Sequence, residues 1–215
     1  LERNMAFATI DVTKGISGTI AEANLPTIPV TKGGTGLTSG TTDQFLKFTG
    51  STTVASAAVS AGITVADNWR ITSSVTGTNS PLTSNWERVD TNGMGTIGSA
   101  MTQSSGVFSF PSTGIYQVSF TGYLEGSDQQ RYHTIQIYAT TDNSSYYHMT
   151  ESSKYMNYTS NTAYSGVHCS TYFDVTDTAQ CKIRFNYVPA ANNTSLLGAT
   201  NYNATHVMFI RMGDT

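Results

Sequence analysis

Ser105-Gly106-Val107-Phe108-Ser109-Phe110-Pro111-Ser112-Thr113-Gly114-Ile115-Tyr116-Gln117-Val118-Ser119-Phe120 alternates apolar and polar residues on either side of a short break. Phe108 and Phe110 share a face before the break, and Tyr116, Val118, Phe120, Gly122 and Leu124 share one after it. Period two with one apolar face is the pattern of a strand buried on one side. Pro111-Ser112-Thr113-Gly114 supplies the turn, since proline presets one φ and glycine accepts a positive one. The same alternation recurs further along. His133, Ile135, Ile137 and Ala139 form one face. Val167, Cys169, Thr171, Phe173 and Val175 alternate with His168, Ser170, Tyr172 and Asp174. Cys181, Ile183, Phe185 and Tyr187 alternate with Lys182, Arg184 and Asn186. His206 to Met212 is apolar on both faces, which calls for a central strand or a subunit interface. Many short strands bounded by Gly, Pro, Asn, Asp and Ser indicate an antiparallel β-sandwich or barrel.

Composition agrees. Charged residues are only 12% of the 215-residue chain, so no heptad with charged flanks can be written and a coiled coil is excluded. A net charge of −3 leaves no basic face for phosphate, so nucleic acid is not an expected partner. No apolar run reaches the ~20 residues of a membrane-spanning helix. Leu1 to Lys14 has no basic stretch followed by an apolar region, so no secretion signal is expected there. Cys169 and Cys181 are too few for a disulfide scaffold. In a tight hairpin around Thr176–Ala179 they would be out of register for a bridge, whereas facing strands of a sandwich would allow one.

Composition changes near Asp67. Residues 1–67 are rich in Gly, Thr, Ala and Ser, with Phe45, Leu46 and Phe48 as the tight apolar cluster. Such a segment buries too little to offset its ordering entropy, so it needs other chains or a docking partner. It holds an internal repeat: Val12-Thr13-Lys14-Gly15-Ile16-Ser17-Gly18 is echoed by Val30-Thr31-Lys32-Gly33-Gly34-Thr35-Gly36. A repeated short unit fits a stacked, array-like structure, and a plain Gly/Thr linker is the other reading.

Two resemblances join these halves. Leu25-Pro26-Thr27-Ile28-Pro29-Val30-Thr31-Lys32-Gly33-Gly34-Thr35-Gly36 resembles the Gly-Gly-Thr-Gly signature of bacteriophage fibre proteins, and Asp43-Gln44-Phe45-Leu46-Lys47-Phe48-Thr49-Gly50 resembles the segment that commonly follows it. The stretch from Ser105 to Phe120 resembles the core motif of C1q/TNF-like domains, with Val118 in place of an aromatic. Thr205 to Gly213 is similar to that family's last strand, and Trp86-Glu87-Arg88-Val89-Asp90 to an early one. The resemblance implies an all-β fold: an antiparallel jelly-roll β-sandwich head over 68–215, preceded by an extended N-terminal attachment or shaft segment over 1–67. It further implies a homotrimer about a threefold axis, with Gly33, Gly34, Thr35 and Gly36 in the attachment segment.

A catalytic or metal constellation is not legible. His133, His148, His168 and His206 have no close pair at metal-ligand spacing, and no Gly-x-Ser-x-Gly elbow occurs. His168, Ser170 and Asp174 fall on one exposed strand face, and carboxylates such as Glu125 and Asp128 can be nominated in any chain. Asp174-Val175-Thr176-Asp177 is either a cation loop or an Asp-capped turn. No enzyme activity, cofactor or metal is therefore expected.

The informative stretch is Tyr132 to Tyr172, where eight tyrosines sit among Ser, Asn, Thr and His. Tyrosine with small polar residues makes adaptable contact surfaces. Tyr146, Tyr147, His148, Tyr155 and Tyr158 are expected on loops of the head as a receptor-binding set; a place in a trimer interface is the competing reading. The expected function is a trimeric fibre or spike of a bacteriophage virion, on tail or capsid surface and assembled in the host cytoplasm. Its N-terminal segment would contact other virion proteins and its head a host-surface glycan or protein receptor. A capsid-decorating protein is the alternative, and a bacterial C1q-like adhesin or a glycan-active enzyme a further one.

Overall fold

A computed structural model describes residues 41–42, 44–51, 53–58, 62–127, 130–157 and 161–215, and the described chain is all-β. It divides into two units, Leu1–Ser60 and Ala61–Thr215. In the first, β1 (Gln44–Phe48) pairs antiparallel with β2 (Val54–Ala58). This hairpin leaves Phe45, Leu46 and Phe48 exposed. The Gly33-Gly34-Thr35-Gly36 motif lies outside the described residues.

The second unit is a two-sheet sandwich. One sheet has five strands: β10 (Tyr147–Met156), β9 (Gln130–Thr140), β12 (Lys182–Pro189), β7 (Val107–Ser109) and β6 (Thr102–Ser104), in that order. The other has seven. Its centre is β8 (Gly114–Gly126), which pairs with β11 (Ala163–Val175) along one edge and with β14 (His206–Gly213) and β13 (Thr194–Leu196) along the other. Beyond β14 lie β3 (Ala66–Ile71) and β5 (Trp86–Arg88), and β4 (Val75–Thr76) pairs with β13. β3 takes Ala66 and Asp67 into this sheet, so the sandwich reaches back past residue 68.

Alternation sets the core. The inward residues of β8, namely Tyr116, Val118, Phe120, Gly122 and Leu124, are all buried. Ile135, Ile137, Ile183, Phe185 and Tyr187 oppose them from the five-stranded sheet. Phe108 is the aromatic hub. Its ring meets Trp69, Trp86 and Phe185 edge to face at 5.1–5.5 Å and Phe209 at 5.3 Å. Such edge-to-face contacts set ring positive edges against negative faces. Phe108 reaches this place because Ser105 (φ 49°) and Gly106 (φ 79°) make the two-residue β6–β7 turn, both with positive φ as a type I′ hairpin requires. A Cβ on Gly106 would lie 2.0 Å from the Leu82 carbonyl oxygen.

β11 and β12 enter different sheets, so the tight Cys169–Cys181 hairpin does not form. Both cysteines are buried and free. Burial, with the charge of Glu151 adding to it, pushes the Cys169 thiol up to about 12. β14 is central, between β8 and β3, with Val207 and Phe209 in the core. Its outward residues Met208 and Met212 are 37% and 54% exposed.

A buried carboxylate ties the sheet's far edge together. Asp67 Oδ2 accepts hydrogen bonds from Trp69 Nε1 (3.0 Å), Arg88 Nε (3.3 Å) and the Met101 amide (2.8 Å), and Arg88 also donates to the Met101 carbonyl. Removing such an acceptor strands its donors without water.

Two substitutions separate these claims. Phe108→Ala should cost about 3–5 kcal/mol of stability, seen as an earlier urea midpoint with an unchanged slope. Ile97→Ala, half exposed on the same unit, should stay within about 0.5 kcal/mol.

Candidate functional site: the outer face of the five-stranded sheet

The outward residues of β9, β10 and β12 form rows. Cross-strand partners share a face, so register alone places Tyr138 between His148 and Arg184, and Gln136 between Glu151 and Asn186. The Tyr138 and His148 rings stack at 4.9 Å with 8° between their planes. The Arg184 guanidinium sits 4.0 Å from the Tyr146 ring centre and 5.7 Å from that of Tyr138. In the next row Gln136 Nε2 donates to Glu151 Oε2 (2.9 Å), and Asn186 Nδ2 donates to Gln136 Oε1 (3.2 Å). His148 Nε2 lies 3.5 Å from the same Glu151 oxygen.

A short turn holds Tyr146 over this row. Asp142 Oδ1 accepts from Thr140 Oγ1 (2.7 Å) and from the amides of Ser144 (2.9 Å) and Ser145 (2.7 Å). Asn143 takes a positive φ of 55° and its amide donates to the Gln180 carbonyl. Asparagine tolerates that conformation better than most residues. The Thr140 hydroxyl first, then the two amides, hold the Asp142 carboxyl down to about 2. Burial pushes the Tyr146 phenol up, and the nearby Arg184 charge pulls it partly back.

The expected loop set is rearranged. Tyr147, His148 and Tyr155 lie in strand β10, not in loops, because the edge of the sheet runs through a segment whose polar residues mask its strand character. Tyr146 alone of the set is in the turn before it. Tyr158 lies outside the described residues. The structure brings Tyr146 and His148 together through Tyr138 and Arg184. Tyr147 pairs with core-facing Ala139 and so lies on the opposite side of the sheet from His148. Tyr155 sits at the bulge between Lys154 and Met156, about 25 Å along the strand from Tyr147. Tyr138, Gln136, Arg184, Asn186 and Glu151 were missed as site residues. Their signal was the polar half of the alternation whose apolar half marks the core.

The outer face of the seven-stranded sheet is different. A row runs Arg70, His206, Thr121, His168 across β3, β14, β8 and β11, with His168 Nδ1 3.0 Å from Thr121 Oγ1. Arg70 is fully buried and donates to Glu87 (2.9 Å) and Thr91 (3.2 Å). Further along lie Met208, Met212 and Tyr172, the last 64% exposed, while Tyr123 and Tyr164 stack at 5.8 Å. His168, Ser170 and Asp174 follow one another along the strand, so His168 bonds Thr121 and not Ser170. Asp174 and Val175 end β11, and Asp177 Oδ1 accepts from the Ala179 amide (2.7 Å), so Asp177 caps the turn that follows the strand. Among the described residues no group of three or more His, Cys, Asp or Glu is arranged to hold a metal ion.

No family model matches the chain, and no curated protein sequence matches it. Among solved structures it is similar to Eiger TNF from S. frugiperda, at 12% identity and a TM-score of 0.53, over 72% of this chain and 96% of that one. It is also similar to murine APRIL at pH 5.0, at 12% identity and a TM-score of 0.49, over 68% and 98%. The sandwich is a TNF-like jelly roll, and at this identity the likeness carries the fold alone.

Two histidines give the head a pH dependence. Burial pushes the His133 imidazole below the usual range; its Nδ1 meets the Tyr187 hydroxyl at 3.0 Å. Burial also lowers His206, with His168 adding to it and the Ala204 and Asn203 backbone opposing. Above about pH 6.5 both are neutral whether folded or not. Below that the unfolded chain binds protons first, so this stability is present above the unfolded pKa and declines on acidification. The thermal midpoint should fall between pH 7.5 and 5.5, and His206→Gln should shrink the fall. A flat profile would remove the buried-imidazole account.

Proposed function

We propose that this chain is a structural virion protein of a bacteriophage, a homotrimeric fibre or spike whose jelly-roll head contacts a receptor on the host surface. The observation that carries the trimer is the outward row of β14. Met208 and Met212 are exposed in the middle of a sheet, beside exposed Tyr172, where a solitary chain would gain from polar side chains. Closed symmetry gives three copies of one patch partners in each other. The C1q/TNF-like resemblance implies the same arrangement. The bacteriophage part of the reading is supported by Leu25–Gly36 and Asp43–Gly50, which resemble fibre-protein segments. On this reading the N-terminal segment, including Gly33, Gly34, Thr35 and Gly36, attaches the head to other virion proteins at the tail or capsid surface. Binding needs no catalysis, because three copies multiply weak contacts into avidity.

The chain at micromolar concentration should sediment as a trimer. Met208→Asp should convert it to smaller species that keep the strand signature in circular dichroism. A folded monomer of the unaltered chain would rule the trimer out. The labelled trimer should also decorate host cells, and absence of any cell binding would leave a capsid-decorating protein as the better reading.

A further inference from the structure

Arg70, Arg88 and Arg211 each meet a carboxylate, from Glu87, Asp67 and Asp214 respectively. Arg184 meets none. It is half-buried on the outer face of the five-stranded sheet, and its Nε is buried with no hydrogen-bond partner. Its only contacts of note are the rings of Tyr146 and Tyr138. Two residues along the same face, Asn186 is 2% exposed and its Oδ1 likewise lacks a partner. A guanidinium carries five donors in a planar fork, and leaving the buried Nε donor unmade is costly. The nearest acid on this face does not answer it. Glu151 sits on β10, two strands and about 10 Å away, and its oxygen is taken by Gln136 and faces His148.

We propose that this face binds a carboxylate-bearing saccharide, with Arg184 taking the carboxylate and the Tyr146, Tyr138 and His148 rings taking the C–H faces of the sugar. The inference rests on the receptor-binding reading above and names its ligand class. Three features select this chemistry. The fork of Arg184 matches a planar carboxylate in two parallel hydrogen bonds. The flanking rings offer apolar faces with polar edges, as amphipathic sugar rings require. Of the two cations that β12 sets on this face, Lys182 already donates to the Thr178 carbonyl at 2.7 Å, and Arg184 is the one with a buried donor still unmet, which fits a singly charged carboxylate. In the next row the Gln136 and Asn186 amides are bonded to each other and, through Gln136, to Glu151, which holds this face rigid.

The probes are oligogalacturonate and oligosialate, each beside its carboxyl-reduced form, titrated against the full trimeric chain. At least one acidic form should bind, and its reduced form about tenfold more weakly or worse. Arg184→Gln should lose about tenfold or more, and Arg184→Lys, which keeps charge but not the fork, should recover part of it. If Arg184→Gln fails to fold, the unaltered chain still decides: the acidic probe should move the His148 imidazole resonances, and unmoved resonances overturn the assignment. Equal binding of acidic and reduced forms, or binding of no probe, also overturns it. Cell binding separates the two readings. Host-cell attachment that survives Arg184→Gln and periodate treatment of the cells sinks the saccharide and keeps the receptor, pointing to a protein. Arg184-dependent saccharide binding without attachment to any host keeps the site and sinks the fibre reading.

Discussion

The ring of Phe108 touches both sheets at once. It belongs to β7 in the five-stranded sheet, and it packs on Trp69 and Phe209 of the seven-stranded one. Trp86 and Phe185 close the group, and Trp86 Nε1 finds the Leu82 carbonyl at 2.9 Å. Aromatic edges and faces fit in few ways, so this cluster fixes the separation and offset of the sheets more tightly than aliphatic packing would. The positive-φ turn at Ser105-Gly106 is part of the same constraint, because it carries Gly106 against the Leu82 carbonyl, where no side chain fits, just before Phe108 enters the core.

Once the inner faces are committed to this core, period two leaves each sheet one outer face, and the two faces have diverged. The seven-stranded sheet shows thioether and phenol groups among small polar residues, a surface that gains by being covered. The five-stranded sheet shows a connected polar network with rings laid over it. A rigid sheet holds such side chains to narrower limits than a loop does, since strand backbone and cross-strand neighbours fix both position and direction. The Asp142 turn extends that order to Tyr146 at the sheet's end.

The unpaired guanidinium of Arg184 is unusual in a chain so poor in charge. The other arginines of the sandwich that make ion pairs serve its edges: Arg88 with Asp67 beside Met101, Arg70 with Glu87 across β3 and β5, and Arg211 beside the start of β8, where its Nε donates to the Thr113 carbonyl. Each has a partner that explains it. Arg184 has only rings, and rings stabilise a cation without using its hydrogen-bond donors.

Alternation around Tyr116, Ile135, Phe173 and Phe185 determined the class of fold and the inward residues, because a strand with one dry face must repeat every second residue, and left the last strand either central or at an interface. It also marked Met208 to Met212 as having a second face to cover. Sequence order accounts for the β6–β7 and β9–β10 hairpins but not for which sheet each later strand joins. β11 and β12 follow closely in the chain yet join different sheets, so the Cys169–Cys181 hairpin register fails and β10 takes in tyrosines expected on loops. The site is likewise tertiary. Tyr146 and His148 were legible as aromatic density, but Tyr138 and Arg184 join them only through the pairing of β9 with β10 and β12. Register between strands distant in sequence is decided by the whole packed core, and no local pattern carries it.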